Sequence, residues 1–225
     1  MKLKSITDIG VQRKENQDNY WSAILTVDGK ETGIICLCDG MGGLKDGGLA
    51  SKMVVEAVKD SILSGMDFSD MPEVLGQANT SIFELGNRSM GTTCTLIKCS
   101  EGIYEIYHVG DSRCYSGKGL ELTQLTTDHS FLGKYKDSKR PENISEEKWN
   151  KFKNCLTRCI GVKPNVQLDY YKGTYEEGDY FFVCSDGMWH HLDISKLESI
   201  GLEGLVKDCI SKGETDNITA GILYM

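Results

Sequence analysis

Five aspartates stand where apolar runs meet turns: Asp18, Asp39, Asp111, Asp186 and Asp216. Asp39 closes the run Gly33-Ile34-Ile35-Cys36-Leu37-Cys38 and opens the glycine-rich turn Gly40-Met41-Gly42-Gly43. The design recurs where Tyr180-Phe181-Phe182-Val183-Cys184-Ser185 leads into Asp186-Gly187-Met188. An ionised Asp at the end of a buried strand is costly unless it pairs or binds a metal. Asp-Gly is also a common turn dipeptide, so each copy alone reads equally as a turn. Two copies behind matching apolar runs read as two walls of one acidic site. Carboxylate oxygens suit hard cations such as Mg²⁺ and Mn²⁺. Two such ions about 3.5–4 Å apart can activate a shared water for attack. The neighbouring glycines let backbone carbonyls and phosphate oxygens approach closely.

Other catalytic devices are absent. No Cys is followed six positions later by Arg, and there is no Gly-x-x-x-x-Gly-Lys-Ser/Thr loop and no Gly-x-Ser-x-Gly elbow. His190 and His191 are adjacent and so do not share the helical face of a zinc-protease motif. The nine cysteines include no Cys-x-x-Cys pair, and several lie in apolar runs, where a reduced Cys acts as a small hydrophobe. A formal net charge of −8 argues against nucleic acid as the main partner. The start Met1-Lys2-Leu3-Lys4-Ser5 lacks a signal-peptide core, and no apolar stretch approaches a membrane span. These features point to a cytoplasmic, reduced protein with no membrane partner.

The elements that must position the aspartates follow from periodicity. Strands are expected at 3–10, 19–27, 33–38, 92–98, 103–109, 113–115, 166–171, 180–184 and 218–223. Helical spacing of Leu49, Met53, Val54, Ala57, Val58 and Ile62 predicts a helix over 48–63. Val74, Leu75, Ala78, Ile82 and Phe83 predict a second over 72–85, with Pro72 in its first turn. A further helix is expected at 202–211. From Phe131 to Asn154 the composition shifts to Lys, Glu, Asp and Asn, which reads as a surface insertion with one helix capped by Ser145. Strand runs separated by helix pairs indicate an α+β fold with antiparallel sheets and helices packed outside. With 225 residues and no repeat or linker, one domain spanning 1–225 is the simplest reading.

Taken together the motifs resemble the PPM (type 2C) metal-dependent serine/threonine protein phosphatases, in their short bacterial form. In order they are Thr7-Asp8-Ile9-Gly10, Arg13-Lys14-Glu15-Asn16-Gln17-Asp18, Asp39-Gly40-Met41-Gly42-Gly43, Gly91-Thr92-Thr93 and Val109-Gly110-Asp111-Ser112-Arg113. Leu125-Thr126-Thr127-Asp128-His129-Ser130, Leu156-Thr157-Arg158-Cys159-Ile160-Gly161, Ser185-Asp186-Gly187 and Asp216-Asn217-Ile218-Thr219 complete the set. Each is weak alone, and their order over almost the whole chain is specific.

The resemblance implies a four-layer α/β/β/α sandwich, two central antiparallel sheets flanked by helix pairs, with two divalent cations, Mn²⁺ or Mg²⁺, in the cleft between the sheets. It implies that Asp39 bridges both ions, that the Gly40 carbonyl binds the second, and that Asp186 and Asp216 complete the first. Asp18 would act around the metals, Asp111 would hold a weaker third ion with Asp186, and Arg13 would grip the substrate phosphate. The 131–154 insertion matches the family's flap. The implied activity is hydrolysis of phosphoserine and phosphothreonine by a metal-activated water, on protein substrates of a Ser/Thr kinase, by a monomer. Two positions depart from the pattern. Gln17 replaces a Glu that ligates the second ion in many relatives, which predicts weaker metal binding. Met41 replaces a His proposed elsewhere as general acid. Action on another phosphoester, or phosphoprotein binding without catalysis, remain competing readings.

Overall fold

The computed structural model describes residues 1–41, 46–131, 140, 143–153 and 155–225. Among the described residues ten strands form two antiparallel sheets. The first has the order β1 (Lys2–Asp8), β10 (Ile218–Tyr224), β9 (Asp179–Cys184), β6 (Arg113–Lys118), β7 (Glu121–Gln124). The second runs β2 (Asp18–Val27), β3 (Lys30–Asp39), β4 (Cys94–Ser100), β5 (Ile103–Val109), β8 (Asp169–Thr174). Helices α1 (Gly47–Leu63) and α2 (Met71–Gly86) pack together on the second sheet. On the first lie the short α4 (Asp186–Trp189) and α5 (Leu197–Ser211). The helix α3 (Glu146–Lys153) belongs to the insertion.

The two continuous apolar runs are explained by this layering. Side chains alternate across a strand, and both central strands are covered on both faces. From β3, Ile35 and Leu37 enter the core between the sheets, while Ile34, Cys36 and Cys38 enter the core under α1 and α2. From β9, Phe181 and Val183 join that same inter-sheet core, while Tyr180, Phe182 and Cys184 pack against α5. Neither strand has a solvent face on which polar residues could alternate.

Local chemistry sets the connections. Asp28 and Gly29 between β2 and β3, and Glu101 and Gly102 between β4 and β5, all have positive φ, as tight two-residue hairpins require. The stripe α1 buries is Ala50, Val54 and Val58 with Ser51 and Val55, while the expected Leu49 is exposed. Sequence reading begins the last helix at Leu202, whereas α5 starts at Leu197. Gly201 has positive φ inside it and breaks the periodicity at that point. The strand expected at 166–171 is observed at 169–174, because Val166 and Leu168 pack into the helix-side core ahead of the ladder. The four residues of β7 are too few and too polar to announce themselves.

Residues 132–139, 141–142 and 154 of the expected 131–154 insertion lie outside the described residues, as do Gly42 and Gly43. Within the insertion, the Lys148 amide donates to Ser145 Oγ at 3.3 Å, the cap expected for α3. Phe152 of α3 stacks on Phe131 with ring centroids 4.3 Å apart.

Candidate active site

The strand ends converge at one end of the sandwich. Asp18 begins β2, Asp39 ends β3, and the two are directly paired across that ladder. Asp186 follows β9 at the first turn of α4, Asp111 lies between β5 and β6, and Asp216 lies just before β10. The backbone of Asp39 is pinned on three sides. Its amide donates to Thr93 Oγ1 at 2.9 Å, and its carbonyl accepts from the Thr93 amide at 2.9 Å and from Thr92 Oγ1 at 2.8 Å. The Gly40 amide donates to the Gln17 carbonyl at 3.1 Å. A Cβ on Gly40 would fall 2.4 Å from the Gly47 carbonyl, so this close crossing requires glycine.

Asp216 is held by a network that the sequence motifs name only in part. Glu214 Oε1 accepts from the amides of Thr215 and Asp216 at 2.7 and 2.9 Å. The Asn217 amide donates to Asp216 Oδ1 at 2.8 Å. The Asn217 side chain then staples the distant 9–17 loop in place. Its Nδ2 donates to the carbonyls of Ile9 and Glu15, and its Oδ1 accepts from the Gln17 amide at 2.9 Å. Gly10, at positive φ, completes the contact: a Cβ there would meet the Asp216 carbonyl at 2.4 Å. Arg13, from the same loop, donates to Asp216 Oδ2 at 2.5 Å and remains partly exposed.

The electrostatics are dominated by burial and repulsion among the carboxylates, with Arg13 offsetting them at Asp216. Burial, with the charges of Asp186 and Asp216, raises the Asp18 carboxyl to about 7, against the pull of the Thr219 and Ser185 hydroxyls. Burial and then Asp18 and Asp186 push Asp39 well above the carboxylate range. Asp111 rises to about 8 through burial and the charges of Asp186 and Asp128. Asp186 is raised by burial and by Asp216, with His190 opposing. Asp18 Oδ2 and Asp186 Oδ1 are buried with no hydrogen-bond partner. Unpaired buried carboxylate oxygens in an all-oxygen set fit hard divalent cations, which would replace the missing donors and relieve the repulsion.

Around Asp111 the support is aromatic and cationic. Trp189 Nε1 donates to the Asp111 carbonyl at 2.9 Å, and Arg113 lies 3.4 Å over the Trp189 ring while gripping Asp128 through two nitrogens. The Gly110 amide donates to His129 Nδ1 at 3.1 Å, which leaves the ring proton on Nε2, facing Asp169 at 3.0 Å. Arg158 holds Asp169 in turn, at 2.7 Å. This relay, from Arg158 to the turn bearing Asp111, cannot be read from spacing because its members lie on separate elements.

Three further residues singled out in the sequence contact carboxylates outside the five. The Gln17 side-chain amide donates to Glu15 at 2.7 Å rather than to any of the five aspartates. His190 and His191 both face Glu214, at 3.4 and 3.6 Å, and His190 with the backbone amides of Asp216 and Thr215 holds the Glu214 carboxyl down at about 2 against its burial.

The family model described as protein phosphatase 2C matches residues 11–208. The chain belongs to the protein phosphatase 2C family. It is 32% identical to protein phosphatase PhpP of Streptococcus pneumoniae, across 100% of this chain and 98% of that one. It is 29% identical to the serine/threonine phosphatase stp of Listeria innocua, across 86% of this chain and 80% of that protein. Among solved structures, the PPM Ser-Thr phosphatase MsPP of Mycobacterium smegmatis, in complex with cacodylate, superposes with a TM-score of 0.83 at 25% identity, over 100% of this chain and 98% of that one. As members of this family share the fold, the four-layer sandwich read from the sequence is the observed architecture.

Proposed function

We propose that this serine/threonine protein phosphatase hydrolyses phosphoserine and phosphothreonine in proteins at the cluster of Asp18, Asp39, Asp111, Asp186 and Asp216. The observation that carries the reading is the pair of buried, partnerless oxygens on Asp18 and Asp186 within a like-charged set. Asp39, the Gly40 carbonyl, Asp186 and Asp216 would hold two divalent cations, with Asp18 supporting them and Asp111 holding a weaker third. Bound there, such ions supply Lewis-acid stabilisation of the phosphoryl oxygens and a water activated at neutral pH.

The chain's own residues do the positioning. The Thr92 and Thr93 bonds fix the Asp39 backbone, so its carboxylate is set before substrate arrives. Arg13 is partly exposed and placed on the loop stapled by Asn217, so its planar fork can move from Asp216 to a phosphate dianion. Met41 offers no proton, so the leaving alkoxide takes its proton from solvent. Partners would be phosphorylated products of Ser/Thr kinases. No helix among the described residues is long and apolar enough to cross a membrane. Seven of the nine cysteines are buried as small apolar side chains, which fits action in a reducing compartment such as the cytoplasm.

The test is phosphate release from a phosphothreonine peptide with Mn²⁺, then with excess EDTA, for wild type and Asp186→Ala. Release that needs Mn²⁺ and collapses in the variant is expected. Folded, Mn²⁺-supplied wild type that releases no phosphate from this peptide overturns the proposal.

A further inference from the structure

We infer that Cys36, Cys38 and Cys94 form a second ligand site, a cradle of three thiols for one soft trivalent ion of the arsenite class. Their sulphurs all lie within 4.8 Å of one another, and all three residues are fully buried. The sequence brings them together simply. Cys36 and Cys38 are two apart on β3 and so share a face, the one turned toward α1 and α2. The β3–β4 register pairs Cys36 with Leu96 and Leu37 with Thr95, and resumes at Gly40 with Thr92. Carried through, it sets Cys38 directly opposite Cys94.

Thiolate donors select soft ions, whereas the aspartate oxygens one residue further along β3 select hard ones. The two sites therefore do not compete. A pyramidal three-coordinate ion with bonds to sulphur of about 2.3 Å, the length at zinc, sets its sulphurs about 3.5 Å apart, within reach of sulphurs that lie within 4.8 Å of one another. Structural zinc calls for four ligands, and the cluster among the described residues offers three. Charge decides further. Three thiolates on a trivalent ion make a neutral complex, while a divalent or monovalent ion would leave net charge in an apolar core. Arsenite enters as neutral As(OH)₃. Three As–S bonds form, three As–OH bonds break, and each hydroxyl leaves as water with a thiol proton. Arsenic stays trivalent, so no oxidant or reductant is needed. Occupancy would tie β3 to β4 directly behind Asp39, whose amide donates to Thr93, the neighbour of Cys94.

The test uses the reduced full-length chain and arsenite, read by mass spectrometry under non-denaturing conditions. The expected adduct is one arsenic less three hydrogens, kept in a Cys155→Ser/Cys159→Ser variant and reduced at least tenfold in Cys94→Ala. No adduct, an adduct that retains a hydroxyl and so uses two thiols, or one indifferent to Cys94 overturns the site and leaves three small core hydrophobes. Should Cys94→Ala fail to fold, arsenic absorption spectroscopy of the wild type decides: three sulphur neighbours support the site, and any oxygen neighbour refutes it. Phosphatase turnover plays no part in the readout, so this inference and the proposed activity fail separately.

Discussion

Asp18 and Asp39 sit directly opposite each other across the β2–β3 ladder, a buried carboxylate facing a partly buried one where a sheet ordinarily avoids like charge. Desolvation raises both, Asp18 adding to the rise at Asp39, and Asp186 and Asp216 adding to the rise at Asp18. This strain is tolerable when cations are bound and is a liability without them. Asp39→Asn should therefore stabilise the metal-free protein while lowering turnover. Relief of about 1 kcal/mol corresponds to a melting point about 2–4 °C higher for a chain of this size. Turnover should drop about 100-fold or more. Thermal melts in EDTA and phosphate release in Mn²⁺ check the two arms. A metal-free variant that melts lower than wild type contradicts the repulsion argument.

The same carboxyls give metal binding a pH dependence with a definite sign. Burial and neighbouring carboxylates push Asp18 up to about 7 and Asp111 up to about 8, against an ordinary 3.8 for aspartate. The fold thus holds protons that the unfolded chain has released, and as pH rises from about 4 to about 8 these groups lower the stability of the metal-free protein. Cations must displace those protons, so affinity should tighten with pH up to about 8, by about tenfold per unit for each proton released. Mn²⁺ titration calorimetry at pH 6 and pH 7, in buffers of different ionisation enthalpy, reports both affinity and proton release. Equal affinity at the two values would show that the carboxyls are already ionised.

What was legible in the sequence is what local pattern encodes. The runs ending at Asp39 and Asp186 announce strands buried on both faces, and the Asp-Gly exits mark where they converge. The hairpins at Asp28-Gly29 and Glu101-Gly102 follow from local backbone preference. The rest depends on tertiary partners. Gly117 lies inside β6, beyond the short strand expected at 113–115, because the Tyr180 ring covers it; a Cβ there would fall 2.1 Å from that ring. Asn217 shows the same limit at the site. It belongs to the Asp216 motif, but its work is to bind a loop some 200 residues away in sequence, with 200 positions separating it from Gln17. The relay through Arg158, Asp169 and His129 is invisible for the same reason.

Gly10 makes that long-range dependence testable. Its positive φ and its 2.4 Å approach to the Asp216 carbonyl leave no space for a methyl group. Gly10→Ala should push the Asp216 turn outward and loosen Asn217 without touching a carboxylate. The expected result is Mn²⁺ affinity weakened about 10- to 100-fold, the range seen when a metal site's supporting contacts are lost. Calorimetry on folded variant, verified by circular dichroism, measures it. Unchanged affinity would mean that the loop adapts and that Asp216 is held by Glu214 and Asn217 alone.

Gln17 tests how the chain departs from its relatives. Its amide donates to Glu15, and its neutral oxygen brings less charge to a cation than a carboxylate would. Gln17→Glu should tighten Mn²⁺ binding by about tenfold, about 1.4 kcal/mol. It should also lower the stability of the metal-free protein, because the new carboxylate meets Glu15 where an amide donor stood. Equal affinity would refute a metal role for this position.

Arg13 separates substrate binding from chemistry. Its guanidinium pairs with Asp216, and half-exposed ion pairs of this kind contribute little to stability, about 0–1 kcal/mol. A cation at Asp216 would weaken that pairing and leave the fork for a phosphate. Arg13→Ala should therefore raise KM about tenfold or more with a much smaller fall in kcat, and leave the melting point nearly unchanged. Arg13→Lys keeps the charge but loses the two-pronged geometry, so it should recover only part of the KM. Steady-state kinetics on a phosphothreonine peptide measures the split. A fall in kcat at unchanged KM would instead place Arg13 on the transition state alone, and a large loss of stability would make it a structural tether for the 9–17 loop.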